Sequence, residues 1–141
     1  GVMLTTALYE KPAPDRTFLI IDAGMNDLMR PALYDAHHDI VPLKEAAADA
    51  PTATYDVVGP ICESTDKFAV ARQLPEVAQG DRLAFMSAGA YGAVLSSAYN
   101  ARPLVPEVLV HGDRFDIVRR RPTFDEMVEL EQVPDWLTQT A

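Results

Sequence analysis

The chain has a single cysteine, Cys62, among its 141 residues. One thiol cannot close an internal disulfide, which points to a reducing, cytoplasmic setting. Long apolar runs are missing too. The longest, such as residues 18–21 and 83–86, fall far short of the roughly 20 residues that cross a bilayer, so no membrane partner is expected. The opening GVMLTTALYE lacks the basic start and apolar stretch of a secretory signal. Basic residues are scarce: 12 Lys and Arg against 21 Asp and Glu leave a net charge of −9, which repels phosphate backbones and argues against nucleic acid. The one basic cluster, Arg119 to Arg121, precedes an acidic tail and reads as a solvated strand end. There is no P-loop, no GxSxG elbow and no paired CxxC. His37 and His38 are adjacent, a poor spacing for one metal ion, so no metal site is expected.

Against these absences stand many short β-rich segments. Residues 2–9 and 18–22 read as strands joined by the turn KPAPDR, which lets them pair as a hairpin. Residues 25–34 have a short helical spacing that Pro31 interrupts, and a helix with Arg30 and Tyr34 on one face requires Pro31 in its first turn. Residues 44–54 read as an exposed loop. Strands follow at 55–58, 68–72 and 82–86, while 89–99 fits either a helical turn or a tight strand pair. Residues 105–110 and 114–119 alternate as a hairpin across His111-Gly112-Asp113. Thr123, with Glu126 three residues on, forms a capping box for a helix over 124–130. The expectation is one mainly-β domain over residues 1–141, a Greek-key-like barrel or sandwich with short helices.

Three stretches could carry chemistry. In YDVVGPICESTD, Cys62 is either a buried small hydrophobe or a reactive group. The neighbouring Glu63 and Asp66 disfavour a thiolate, so a chemical role is better met by donating a proton than by attacking carbon. Glu63 beside such a donor can hold a substrate ammonium; ordinary surface charge is its alternative. In DAGMNDLMRPALY, Arg30 and Tyr34 are four apart and share a helical face. A guanidinium fork plus a phenol makes a carboxylate receptor, unless the face is a plain solvated turn. In SAGAYG the small residues admit close backbone approach and Tyr91 adds a hydroxyl, though tight packing has the same appearance.

Taken together, IDAGMNDLMRPALYDAHHDI, VVGPICESTD, GDRLAFMSAGAYGAVLSSAYNARP and RRRPTFDEMVELE resemble the C-terminal region of the diaminopimelate decarboxylases. These belong to the alanine-racemase-like, type III group of pyridoxal 5'-phosphate (PLP) enzymes. The resemblance covers nearly the whole chain. It implies a two-domain homodimeric enzyme whose N-terminal (β/α)8 barrel carries PLP on a lysine and whose β-domain completes the site. The implied reaction takes CO2 from meso-diaminopimelate to give L-lysine. By the same resemblance Cys62 is the proton donor, and Arg30 and Tyr34 bind the distal carboxylate. Glu63 takes the ammonium, and Tyr91 touches cofactor and substrate. None of Lys11, Lys44 and Lys67 sits in the family's Schiff-base motif, and the PLP barrel is absent, so the isolated chain is expected to be inactive. The other readings are a decarboxylase domain for another basic amino acid, or a non-catalytic β-domain for partner binding.

Overall fold

Prolines and an aspartate in KPAPDR turn the chain between strands β1 (Met3–Pro12) and β2 (Thr17–Ile21), which pair antiparallel as expected. The computed structural model describes residues 1–138, divided into unit 1 (Gly1–Asn100) and unit 2 (from Ala101). Unit 1 continues through helix α1 (Arg30–Tyr34) and strands β3 (Ile40–Pro42), β4 (Thr52–Val58), β5 (Lys67–Pro75) and β6 (Arg82–Phe85). Pro31 lies in the first turn of α1, where its missing N–H costs nothing.

The six strands form one sheet in the order β3-β6-β1-β2-β4-β5. All pairings are antiparallel except β2 with β4. A parallel pair needs a long crossover, and the segment holding α1 and β3 supplies it. The sheet curls until its edges approach. Arg72 on β5 donates to the His38 carbonyl at 2.9 Å, and its other nitrogen lies 3.0 Å from His37 Nδ1, just ahead of β3. The result is a nearly closed barrel. Leu19, Ile21, Tyr55, Val57, Phe68, Leu83 and Phe85 point inward and are buried. The Phe68 and Phe85 rings meet with centroids 4.9 Å apart.

Strand bounds shift by a few residues from expectation. β4 starts at Thr52, inside the stretch read as loop, and β3 has no sequence signal because it is three residues ending in proline. The stretch 89–99 resolves as a 3-10 turn, Ala93–Leu95, followed by Tyr99–Ala101.

Unit 2 holds the hairpin of β7 (Glu107–His111) and β8 (Arg114–Arg119), turned at Gly112 with φ +61°. Helices α2 (Phe124–Val128) and α3 (Asp135–Thr138) follow. Thr123 caps α2 with the reciprocal bonds to Glu126 that the sequence predicts, although the helix ends at Val128 rather than residue 130.

Candidate functional site

The loop 59–66 between β4 and β5 carries Cys62 and Glu63, and the residue that ends it sets its shape. Asp66 is 3% exposed. Its Oδ2 accepts from the Ile61 N–H at 2.7 Å and its Oδ1 from the Met25 N–H at 2.7 Å. Its backbone carbonyl accepts from the Gly59 N–H at 3.0 Å, and its N–H donates to the Glu63 carbonyl at 3.1 Å. Residue 59 has to be glycine, since a Cβ there would stand 2.6 Å from Asp66 Cγ. Ile61 is buried and anchors the loop, and the next side chain turns outward. Cys62 is therefore exposed, which removes its reading as a buried small hydrophobe.

Met25 lies on the segment that leads from β2 into α1. At its start, Asp22 Oδ1 accepts from the Thr5 hydroxyl at 2.5 Å and the Thr6 N–H at 2.8 Å. Burial pushes the Asp22 carboxyl up, but the bonds from Thr5 and Thr6 outweigh it and hold the group below the usual carboxylate range. Asn26, fully buried, donates to the Ser97 carbonyl at 3.2 Å and accepts from the Ser97 N–H at 3.0 Å through its own carbonyl. The segment thus bridges the Cys62 loop on one side and residues 97–99 on the other. Two residues past Ser97, the Tyr99 hydroxyl donates to Glu63 Oε2 at 3.4 Å. Glu63 Oε1 takes the Ser64 N–H at 3.0 Å, and the Thr65 hydroxyl meets Met25 Sδ at 3.5 Å.

Arg30 and Tyr34 stand at the two ends of α1. Arg30 is half-buried and Tyr34 exposed, and among the described residues neither side chain makes a hydrogen bond or ion pair. Tyr91 is exposed on the excursion after β6, with a left-handed φ of +58° that costs a non-glycine residue ~1–2 kcal/mol. Bonding thus gathers the Cys62 loop, Glu63 and the root of the Arg30 helix, and among the described residues no hydrogen bond joins Tyr91 to them. Two residues escaped sequence reasoning. Tyr99 partners Glu63 across 36 positions and Asp66 reaches Met25 across 41, separations that no local pattern encodes. Among the described residues no group of His, Cys, Asp and Glu side chains could hold a metal ion. His37 and His38 serve the barrel seam instead.

The family model described as the pyridoxal-dependent decarboxylase C-terminal sheet domain matches residues 1–89. A diaminopimelate decarboxylase of Zymomonas mobilis is 45% identical over 137 residues, covering 97% of this chain and 32% of that protein. Another, of Archaeoglobus fulgidus, is 46% identical over 122 residues, covering 86% and 29%. The crystal structure of a diaminopimelate decarboxylase from M. jannaschii in co-complex with L-lysine matches with a TM-score of 0.90 at 35% identity, covering 96% of this chain and 31% of that one. The chain spans about a third of the length of the curated relatives it matches.

Proposed function

The chain belongs to the pyridoxal-dependent decarboxylase family, as its C-terminal sheet domain, and from that premise we propose that it completes and dimerises a cytoplasmic diaminopimelate decarboxylase. The reaction is loss of CO2 from meso-2,6-diaminopimelate to give L-lysine. Similar proteins bear that enzyme's name, and one was crystallised with L-lysine. The observation that carries the reading is the chain's one thiol, exposed on a loop pinned by a buried carboxylate and next to a bonded glutamate.

The residues of this chain do not fit PLP by themselves. Lys11 on β1, Lys44 after β3 and Lys67 at the start of β5 are all exposed on the outside of the sheet or its loops, and Tyr91 offers one hydroxyl. By the family resemblance an N-terminal (β/α)8 barrel acting with this domain would hold the group, which when bound would supply an electron sink for decarboxylation.

This domain contributes binding and a proton. The Arg30 guanidinium and Tyr34 hydroxyl hold the distal carboxylate, the group that ornithine and lysine lack. Glu63, oriented by Tyr99, holds the ammonium beside it. Cys62 donates its Sγ proton to the substrate carbon that has lost CO2, and the thiolate recovers a proton from solvent. Tyr91 contacts cofactor and substrate.

The test is reconstitution. The PLP barrel is expressed as a separate chain, mixed with this domain, and lysine formation from meso-diaminopimelate is followed. Activity should appear only on mixing, and Cys62→Ala should lower kcat by about 10²–10⁴-fold with little change in KM, the range for loss of a general acid. Inactivity of a folded, PLP-loaded complex would leave only a binding module, and full turnover of Cys62→Ala would end the proton-donor role.

A further inference from the structure

The Cys62 loop follows a Gly-Pro break and lies outside the sheet's hydrogen-bond ladder, yet the proposed chemistry needs its thiol at a fixed distance from Arg30. A proton delivered about 1 Å off line costs on the order of 10²-fold in rate. One side chain supplies the fixity. The Asp66 carboxylate, nearly fully buried, is held by two peptide N–H groups from different parts of the fold. Ile61 immediately precedes Cys62, and Met25 lies five residues before Arg30. Both bonds are 2.7 Å long, the length of charge-assisted contacts. A single carboxylate therefore fastens the thiol loop to the segment that launches the carboxylate-binding helix.

We propose that Asp66 is the positioning residue of the proton-donating loop, fixing Cys62 relative to Arg30 without touching substrate. The proposal rests on the decarboxylase reading above. A substrate charged at both ends requires such a ruler, because its distal carboxylate is fixed at one point and its reacting carbon has to meet the thiol at another. Asp66→Asn replaces one acceptor oxygen with an amide nitrogen that faces an N–H donor, so one of the two fastenings fails while side-chain volume is kept.

The test is a double-mutant cycle in the assembled enzyme, this domain with its PLP-bearing barrel. Asp66→Asn should lower kcat by about 10–10²-fold, more than it raises KM. In the Cys62→Ala background the same substitution should lower kcat by less than about twofold, because no proton donor is left to position and Glu63, on the same loop, would register in KM. An equal factor in both backgrounds would make Asp66 a fold-stabilising residue only and overturn the proposal. A Cys62→Ala enzyme as active as wild type would instead overturn the proton-donor reading, and the proposal with it. A second measurement needs no variant. The Met25 and Ile61 amides of the wild-type protein should exchange with solvent deuterium far more slowly than open-loop amides, and unprotected rates at both would show that the fastening does not exist.

Discussion

Replacing Tyr55 by phenylalanine separates one buried polar contact from the packing around it. Tyr55 is 1% exposed inside the barrel, and its hydroxyl donates to Glu10 Oε1 at 2.5 Å while accepting from the Val77 N–H at 3.3 Å. Phenylalanine keeps the ring, so no cavity of consequence opens. What is lost is a bond to an exposed carboxylate, which water replaces, and the hydroxyl that, among the described residues, accepts from the N–H of buried Val77. The second loss dominates, because an orphaned buried donor costs about 1–3 kcal/mol. At neutral pH the variant should therefore be less stable by about 1–3 kcal/mol, seen as a lower urea midpoint at unchanged slope. Alkaline pH adds a second readout. Burial, reinforced by the Glu10 carboxylate, pushes the Tyr55 phenol up to about 12 from an ordinary 10.0. Below pH 10 both folded and unfolded chains keep the proton and the stabilisation is complete. Between 10 and 12 the unfolded chain releases its proton first, so the wild type loses stability by at most about 1.4 kcal/mol per pH unit. The phenylalanine variant has no such group, so the gap between the two proteins should narrow over that interval. A gap constant from pH 7 to 12, or no loss at pH 7, would refute the reasoning.

Two further outcomes follow from other contacts. Phe85→Ala removes a ring with 0% exposure that packs on Phe68, and should cost about 3–5 kcal/mol in chemical denaturation; a loss below about 1 kcal/mol would mean this ring is not central to the barrel interior. In unit 2, the bond from Arg120, with help from the Thr123 N–H, holds the Glu126 carboxyl down at about 2 from an ordinary 4.5. Its contribution to capping α2 is present above about pH 4.5 and disappears as pH falls through about 2. The Thr123 amide shift should titrate with that low midpoint, and a midpoint near 4.5 would show that the pair does not form in solution.

What the sequence disclosed and what it withheld divide by the distance between partners along the chain. The capping box spans three residues and was legible in full, as was the hairpin turned by KPAPDR. The helical spacing read over residues 25–34 was legible only in part: α1 keeps Arg30–Tyr34 with Pro31 in its first turn, and residues 25–29 are not helical. The parallel pairing of β2 with β4 was not legible, since nothing in either strand names a partner more than 30 positions away. The closing seam was equally silent. Arg72 looks like any solvent-facing strand arginine until His37 and His38 are brought to it.

CESTD shows the same division inside five residues. Cys62 and Glu63 are exposed, and their chemistry could be argued from residue type. Thr65 and Asp66 turn back to Met25, and from sequence Asp66 looked only like a second negative charge beside the thiol. Its burial changes that role. A carboxylate held by the Ile61 and Met25 N–H groups shapes the loop that presents Cys62, so it acts on the thiol through geometry as well as through charge. Losing Asp66, at about 10–10²-fold, and losing Cys62, at about 10²–10⁴-fold, would then both slow the enzyme, for different reasons. Activity alone cannot tell a misplaced proton donor from a missing one, whereas the coupling between the two substitutions can.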